Sequence, residues 1–127
     1  ATSTHGELAA AKLEATGLRG RFQSLVTGDM VERGKPAPDI FLRAAASLGV
    51  DPGACIILED SPMGVRGASA AGATVVWIPD VIPPDDQTRG FADLVSPSLE
   101  DLTERFRRSD PFSADGGGRA WLTGAAG

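Results

Sequence analysis

Segments whose apolar residues recur at helical spacing alternate along the chain with short, continuously apolar runs. The first periodic segment covers residues 6–16. Leu8, Ala9, Lys12 and Leu13 share one face, Glu7 and Glu14 lie outside it, and Gly17 ends it. Thr4 is the expected N-cap, and Glu7, three residues later, completes a capping box. Residues 22–26 are a short apolar run, expected as a strand or extended segment ending at Thr27-Gly28-Asp29. Pro38 and Asp39 open a second helix with the apolar face Ile40, Phe41, Ala44, Ala45 and Leu48, and Gly49 closes it.

Asp51-Pro52 makes a turn. Cys55-Ile56-Ile57-Leu58 follows without a polar interruption, as a parallel strand covered on both faces would. Ser61-Pro62 starts a helix that runs through Val65, Ala68 and Ala71 and stops at Gly72, and its small residues, Gly64 and Gly67 among them, suit close packing on a sheet. Residues 74–78 are the next buried strand, ended by Pro79-Asp80 and Pro83-Pro84. Residues 85–91 are expected as a short helix, Leu94-Val95 as a minimal strand and residues 99–107 as a final helix. Strands alternating with helices give an α/β fold with a parallel sheet over residues 1–108. Residues 109–127 have no periodicity and are rich in glycine, so a disordered tail is expected there, with Trp121 as an isolated apolar residue.

Composition narrows the function classes. A chain of 127 residues is one domain or part of one. Its net charge of −5 argues against non-specific nucleic-acid binding, which needs a basic face. Cys55 is the only cysteine, so no internal disulfide can form, and its apolar setting favours an inert, buried thiol. A reducing, cytoplasmic setting is compatible with this. No apolar run approaches the roughly 20 residues of a membrane span, and no signal-peptide pattern is visible.

Three groups carry candidate chemistry, all at the edge of a parallel sheet where ligands bind, outside the strand carboxyl ends. Lys35 lies between Gly34 and Pro36, which fix the backbone and keep the lysine out of helical geometry. It is either a solvated surface charge or a cation that neutralises phosphoryl oxygens and a nearby carboxylate. Glu59 and Asp60 follow four apolar residues. They cap a helix, a role Ser61 could take instead, or they hold a cation between them, since adjacent carboxylates otherwise repel. Magnesium suits the latter, because it takes a few carboxylates plus phosphate and water. Thr2, Ser3 and Thr4 precede a helix N-terminus, where hydroxyls and free N–H groups either cap the helix or bind an anion. His5, the only histidine, has no partner that would make a hydrolase triad and is expected at the surface or the rim of a site.

Taken together, these groups resemble the C-terminal half of a haloacid dehalogenase superfamily hydrolase, of the branch containing β-phosphoglucomutase and pseudouridine-5′-phosphatase. Gly34-Lys35-Pro36-Ala37-Pro38-Asp39-Ile40-Phe41 is similar to that branch's third motif. Leu58-Glu59-Asp60-Ser61-Pro62-Met63-Gly64-Val65, continued by Ala70-Ala71-Gly72, is similar to its fourth, and the 25 positions from Lys35 to Asp60 fit the family spacing. The hydroxyl of the second motif falls on Thr2, with Ser3 and Thr4 as neighbouring alternatives. The resemblance covers residues 1–106.

It implies a magnesium-dependent phosphatase or phosphomutase that acts on a small phosphate monoester, a sugar phosphate or nucleoside monophosphate, through an aspartyl-phosphate. Thr2 and the Ser3 N–H would hold phosphoryl oxygens, and Lys35 would pair with the phosphoryl group and the nucleophile. Asp60 would ligate magnesium, with Glu59 beside it or through water. The family's first motif, Asp-x-Asp-x-Thr, has no counterpart in this chain, where no two aspartates are separated by a single residue. The chain is therefore expected to be a truncated part of its parent, to lack the nucleophile and the specificity cap, and to be inactive alone. Any cap is expected upstream of Ala1. An open sheet edge at residues 55–58 should cost stability and promote self-association. The competing reading is a non-catalytic phosphate- or metal-binding or regulatory module. A phospho-receiver domain is set aside, because its acidic pair precedes its threonine and lysine.

Overall fold

The computed structural model describes residues 1–108. The Gly-rich segment 109–127, with Trp121, lies outside the described residues. Helix α1 spans Gly6–Ala15, α2 spans Asp39–Leu48, α3 spans Pro62–Ala70, α4 spans Asp86–Arg89 and α5 spans Leu99–Arg108. Strands β1, β2 and β3 are Ile56–Glu59, Thr74–Trp77 and Leu94–Val95. They form one parallel sheet in the order β1-β2-β3, with Ile57 opposite Val75 and Glu59 opposite Trp77. The expected parallel α/β fold is thus the observed one.

β2 is the middle strand and all four of its residues are buried. Alternation along the strand divides its side chains between two cores. Val75 and Trp77 pack with Val26, Ile40, Phe41, Val65 and Ala68. Val76 packs instead with Leu102 of α5, flanked by Ile56, Ile78 and Leu94. Several sequence signals act as expected. Gly49 takes the left-handed conformation (φ 68°) that closes α2. The Ser61 hydroxyl caps α3 by accepting the Gly64 N–H, with Pro62 at the first helical position.

Of the two readings open for residues 22–26, no strand forms, and the neighbouring Thr27 makes a single isolated parallel bridge to Thr2. One bridge leaves most of that segment's backbone outside any ladder. Three local expectations are corrected. The N-cap of α1 is His5 rather than Thr4, and its side chain makes no cap hydrogen bond. The Gly6 N–H donates instead to Asp29 Oδ1 at 2.8 Å, a contact across 23 residues that no local motif announces. β1 starts at Ile56 and pairs only with β2 among the described residues, so Leu58 is 47% exposed and the strand is not covered on both faces. Cys55 is only half-buried, with its Sγ 3.4 Å from the Asp51 carbonyl oxygen.

Candidate active site

The site is built at the carboxyl end of β1. Glu59 is the last residue of that strand and keeps its alternation, so its side chain lies on the Ile57 face under α3. Asp60 falls one residue beyond the strand end and is exposed. Its carbonyl oxygen accepts the Trp77 indole N–H at 3.1 Å, which ties the turn to the core. Its carboxylate makes no hydrogen bond or ion pair among the described residues. Neighbours in sequence, the two acids therefore have opposite fates.

Lys35 reaches Glu59 from the turn before α2, where the Lys35–Pro36 peptide bond is cis. Its ammonium donates to Glu59 Oε1. The pair is shielded, with the lysine side chain 14% and the glutamate side chain 6% exposed. The Ser61 hydroxyl donates to Glu59 Oε2 at 3.2 Å. Phe41 of α2 lies under the ammonium, with its ring centroid 5.1 Å away, in cation–π range. The cation that Glu59 meets among the described residues is Lys35, and a metal ion shared by Glu59 and Asp60 remains an expectation.

Thr2 and Ser3 come from a loop held mainly by backbone. The Thr2 N–H donates to the Val26 carbonyl at 2.9 Å and the Gly28 N–H donates to the Thr4 carbonyl at 3.2 Å. The Thr2 hydroxyl accepts the Thr4 N–H at 3.2 Å, while the Ser3 N–H makes no such bond among the described residues. Gly28 packs against Ser3 so closely that an added Cβ would overlap the Ser3 carbonyl oxygen and stand 3.0 Å from its carbon. Because the Gly6 N–H is taken by Asp29, it is not open to an anion. His5 sits at the exposed rim, with Nε2 3.9 Å from Asp29 Oδ2.

These pieces meet. Thr2, Ser3, Lys35, Glu59, Asp60 and Ser61 line one open cleft of about 710 Å³. Lys35 and Asp60 thus stand at the same end of the sheet. Sequence reasoning missed Ser61 as a donor to Glu59, Phe41 beneath Lys35 and Asp29 as the cap of α1. Only the first had a local signal, the i, i+2 spacing of Glu59 and Ser61.

A magnesium ion needs several hard oxygen donors. The described residues hold no group of three or more His, Cys, Asp or Glu side chains able to hold a metal ion. The free Asp60 carboxylate fits one place in such a shell, while Glu59 is already engaged by Lys35 and Ser61. The donor set present fits magnesium as part of a shell that substrate oxygens, water and further carboxylates would complete.

The profile of the haloacid dehalogenase-like hydrolases matches residues 1–72. This chain belongs to that family. It is 41% identical over 75 residues to the fructose-1-phosphate phosphatase YqaB of Escherichia coli (strain K12), covering 59% of this chain and 40% of that protein. The structure resembles CbbY of Rhodobacter sphaeroides, solved in complex with phosphate, with a TM-score of 0.72 and 34% identity over 80% of this chain and 46% of that one. The fold is shared with β-phosphoglucomutase of Clostridium difficile, with a TM-score of 0.64 at 24% identity over 81% of this chain and 46% of that one. The chain thus spans less than half the length of each of these relatives. Among the described residues of this haloacid dehalogenase-like chain, no helix is long and apolar enough to cross a membrane.

Proposed function

We propose that the protein is a magnesium-dependent phosphatase or phosphomutase acting on a small phosphate monoester, and that this chain supplies the part of its active site that holds phosphate and metal. The observation that carries this reading is the single cleft lined by Thr2, Ser3, Lys35 and Asp60. Family membership supports the reaction class, and a sugar phosphate or nucleoside monophosphate is the substrate class it favours.

Charge explains why a cation belongs in the account. Among the charged side chains lining the cleft, one is positive and two are negative, and the positive one is already paired. Such a cleft repels a phosphate dianion unless a further cation arrives. Magnesium, when bound, supplies charge neutralisation of the phosphoryl oxygens. Lys35 then orients and partly neutralises the phosphoryl group while Glu59 holds the ammonium in place. The Ser3 N–H and the Thr2 hydroxyl donate to phosphoryl oxygens, and Asp60 presents its carboxylate to the metal, with Glu59 beside it or through water. The aspartyl nucleophile and the acid/base would come from elsewhere in the whole protein, so this chain alone gives no turnover.

Steady-state assays of the protein from the whole reading frame, with magnesium and a panel of hexose phosphates and nucleoside monophosphates, test this. Asp60→Asn and Lys35→Met each lower kcat/KM by about 100-fold or more, and residues 1–108 alone stay at background. A whole protein that binds phosphate without turning any ester over would favour the regulatory-module reading instead.

A further inference from the structure

Glycine at position 64 is not there for backbone freedom. The glycines with positive φ are Gly17, Gly49 and Gly72, and Gly64 is an ordinary helical residue near the start of α3. Alanine would favour that helix more. What position 64 lacks is space. A Cβ added there would stand 2.6 Å from Glu59 Oε1 and closer still to Oε2 and Cδ. The Glu59 carboxylate cannot yield freely, because it is buried and bonded to both Lys35 and Ser61. Ser61 is held in turn, since its hydroxyl oxygen accepts the Gly64 N–H at 3.1 Å.

We infer that Gly64 is a positioning residue for Lys35: the room it leaves fixes the Glu59 carboxylate, and that carboxylate fixes where the ammonium stands in the cleft. This rests on the proposed function only for what the ammonium does to a substrate. The placement itself is a property of the chain as it stands. Gly67, the other buried glycine of α3, differs because the nearest atoms to its added Cβ would be the Pro36 and Ala37 carbonyl oxygens and the Phe41 ring, at 3.1–3.2 Å.

Lys35 and Lys12 are the only lysines, and Lys12 is exposed, so acylation followed by peptide mass spectrometry reads one against the other. Gly64→Ala raises Lys35 acylation severalfold relative to Lys12 while the far-ultraviolet circular dichroism stays native. Thermal unfolding gives a second readout with a change of sign. Gly64→Ala lowers Tm in the natural background. It raises Tm in a Lys35→Met/Glu59→Ala background, where the carboxylate is gone and only the helix preference of alanine remains. Unchanged Lys35 protection in a folded Gly64→Ala chain, or an equal fall in Tm in both backgrounds, overturns the inference. If Gly64→Ala does not fold, the triple variant decides: a folded triple variant supports the inference and an unfolded one overturns it. Phosphate and turnover enter none of these readouts, so their outcome is independent of the proposed activity.

Discussion

The two walls of the cleft are held by different physics. On the β1 side, a buried ion pair, a serine hydroxyl and a glycine-shaped space fix Lys35 and Glu59. On the Thr2 side, backbone hydrogen bonds to Val26 and Gly28 and one isolated bridge fix the loop, and the exposed Asp29 caps the helix that follows. The first wall stakes much on a few side chains, because a charge deprived of its partner there is left mostly shielded from water. The second spreads its hold over main-chain contacts that any sequence could make, provided that nothing larger than glycine stands at position 28.

Removing one charge from the first wall has the largest effect. Glu59→Gln or Lys35→Met leaves the partner charge buried and lowers stability by about 3–5 kcal/mol, read as a fall in the urea midpoint at unchanged slope. The exposed pair of Arg108 and Glu104 is the control. Arg108→Gln moves the midpoint little, because both groups are well exposed to water already. Equal shifts for the two pairs would erase the distinction between the walls.

Gly28→Ala comes next. Its Cβ would push on the Ser3 carbonyl, a backbone group rather than a side-chain end. The cost expected is about 1–3 kcal/mol, with amide shifts concentrated at Thr2 to Thr4 and little change at Lys35.

The smallest effect is acid sensitivity at the α1 cap. The Asp29 carboxyl is held below its ordinary value of 3.8. The Thr27 hydroxyl beside it is the largest cause, although that buried hydroxyl stops short of a formed hydrogen bond, and backbone N–H groups, Gly6 included, add to it. Because the folded state favours the ionised form, this contribution is fully present above pH 3.8 and fades as the pH falls through the lower folded value. Amide exchange at Gly6 to Ala9 quickens over that window, and Asp29→Asn removes the pH dependence. An acceleration over that window that persists in Asp29→Asn would show that another group titrates.

The unequal legibility of the walls has the same origin as their unequal construction. Helices α2 and α3, the strand order and the turn residues Gly49 and Ser61 follow from apolar periodicity and local caps, which act within a few residues. Lys35, Glu59 and Asp60 were visible because their spacing follows from where strands end. Periodicity did not show that Glu59 turns inward to Lys35 while Asp60 turns out, since that depends on β1 continuing one residue past its apolar run. Asp29 was invisible because it caps a helix 23 positions before it in the chain. The apolar run 22–26 left strand and extended segment both open, for want of any local sign that its neighbour would form only one bridge.

The central claim is that the two walls bind one ligand together. Titrating the chain with inorganic phosphate in the presence of magnesium, and following backbone amides by nuclear magnetic resonance, tests it most directly. The account predicts that Thr2, Ser3, Lys35 and Asp60 shift together along one saturating curve, and that Asp60→Asn weakens the response of all of them. Shifts confined to one wall, or a phosphate response that does not depend on magnesium or Asp60, would contradict it.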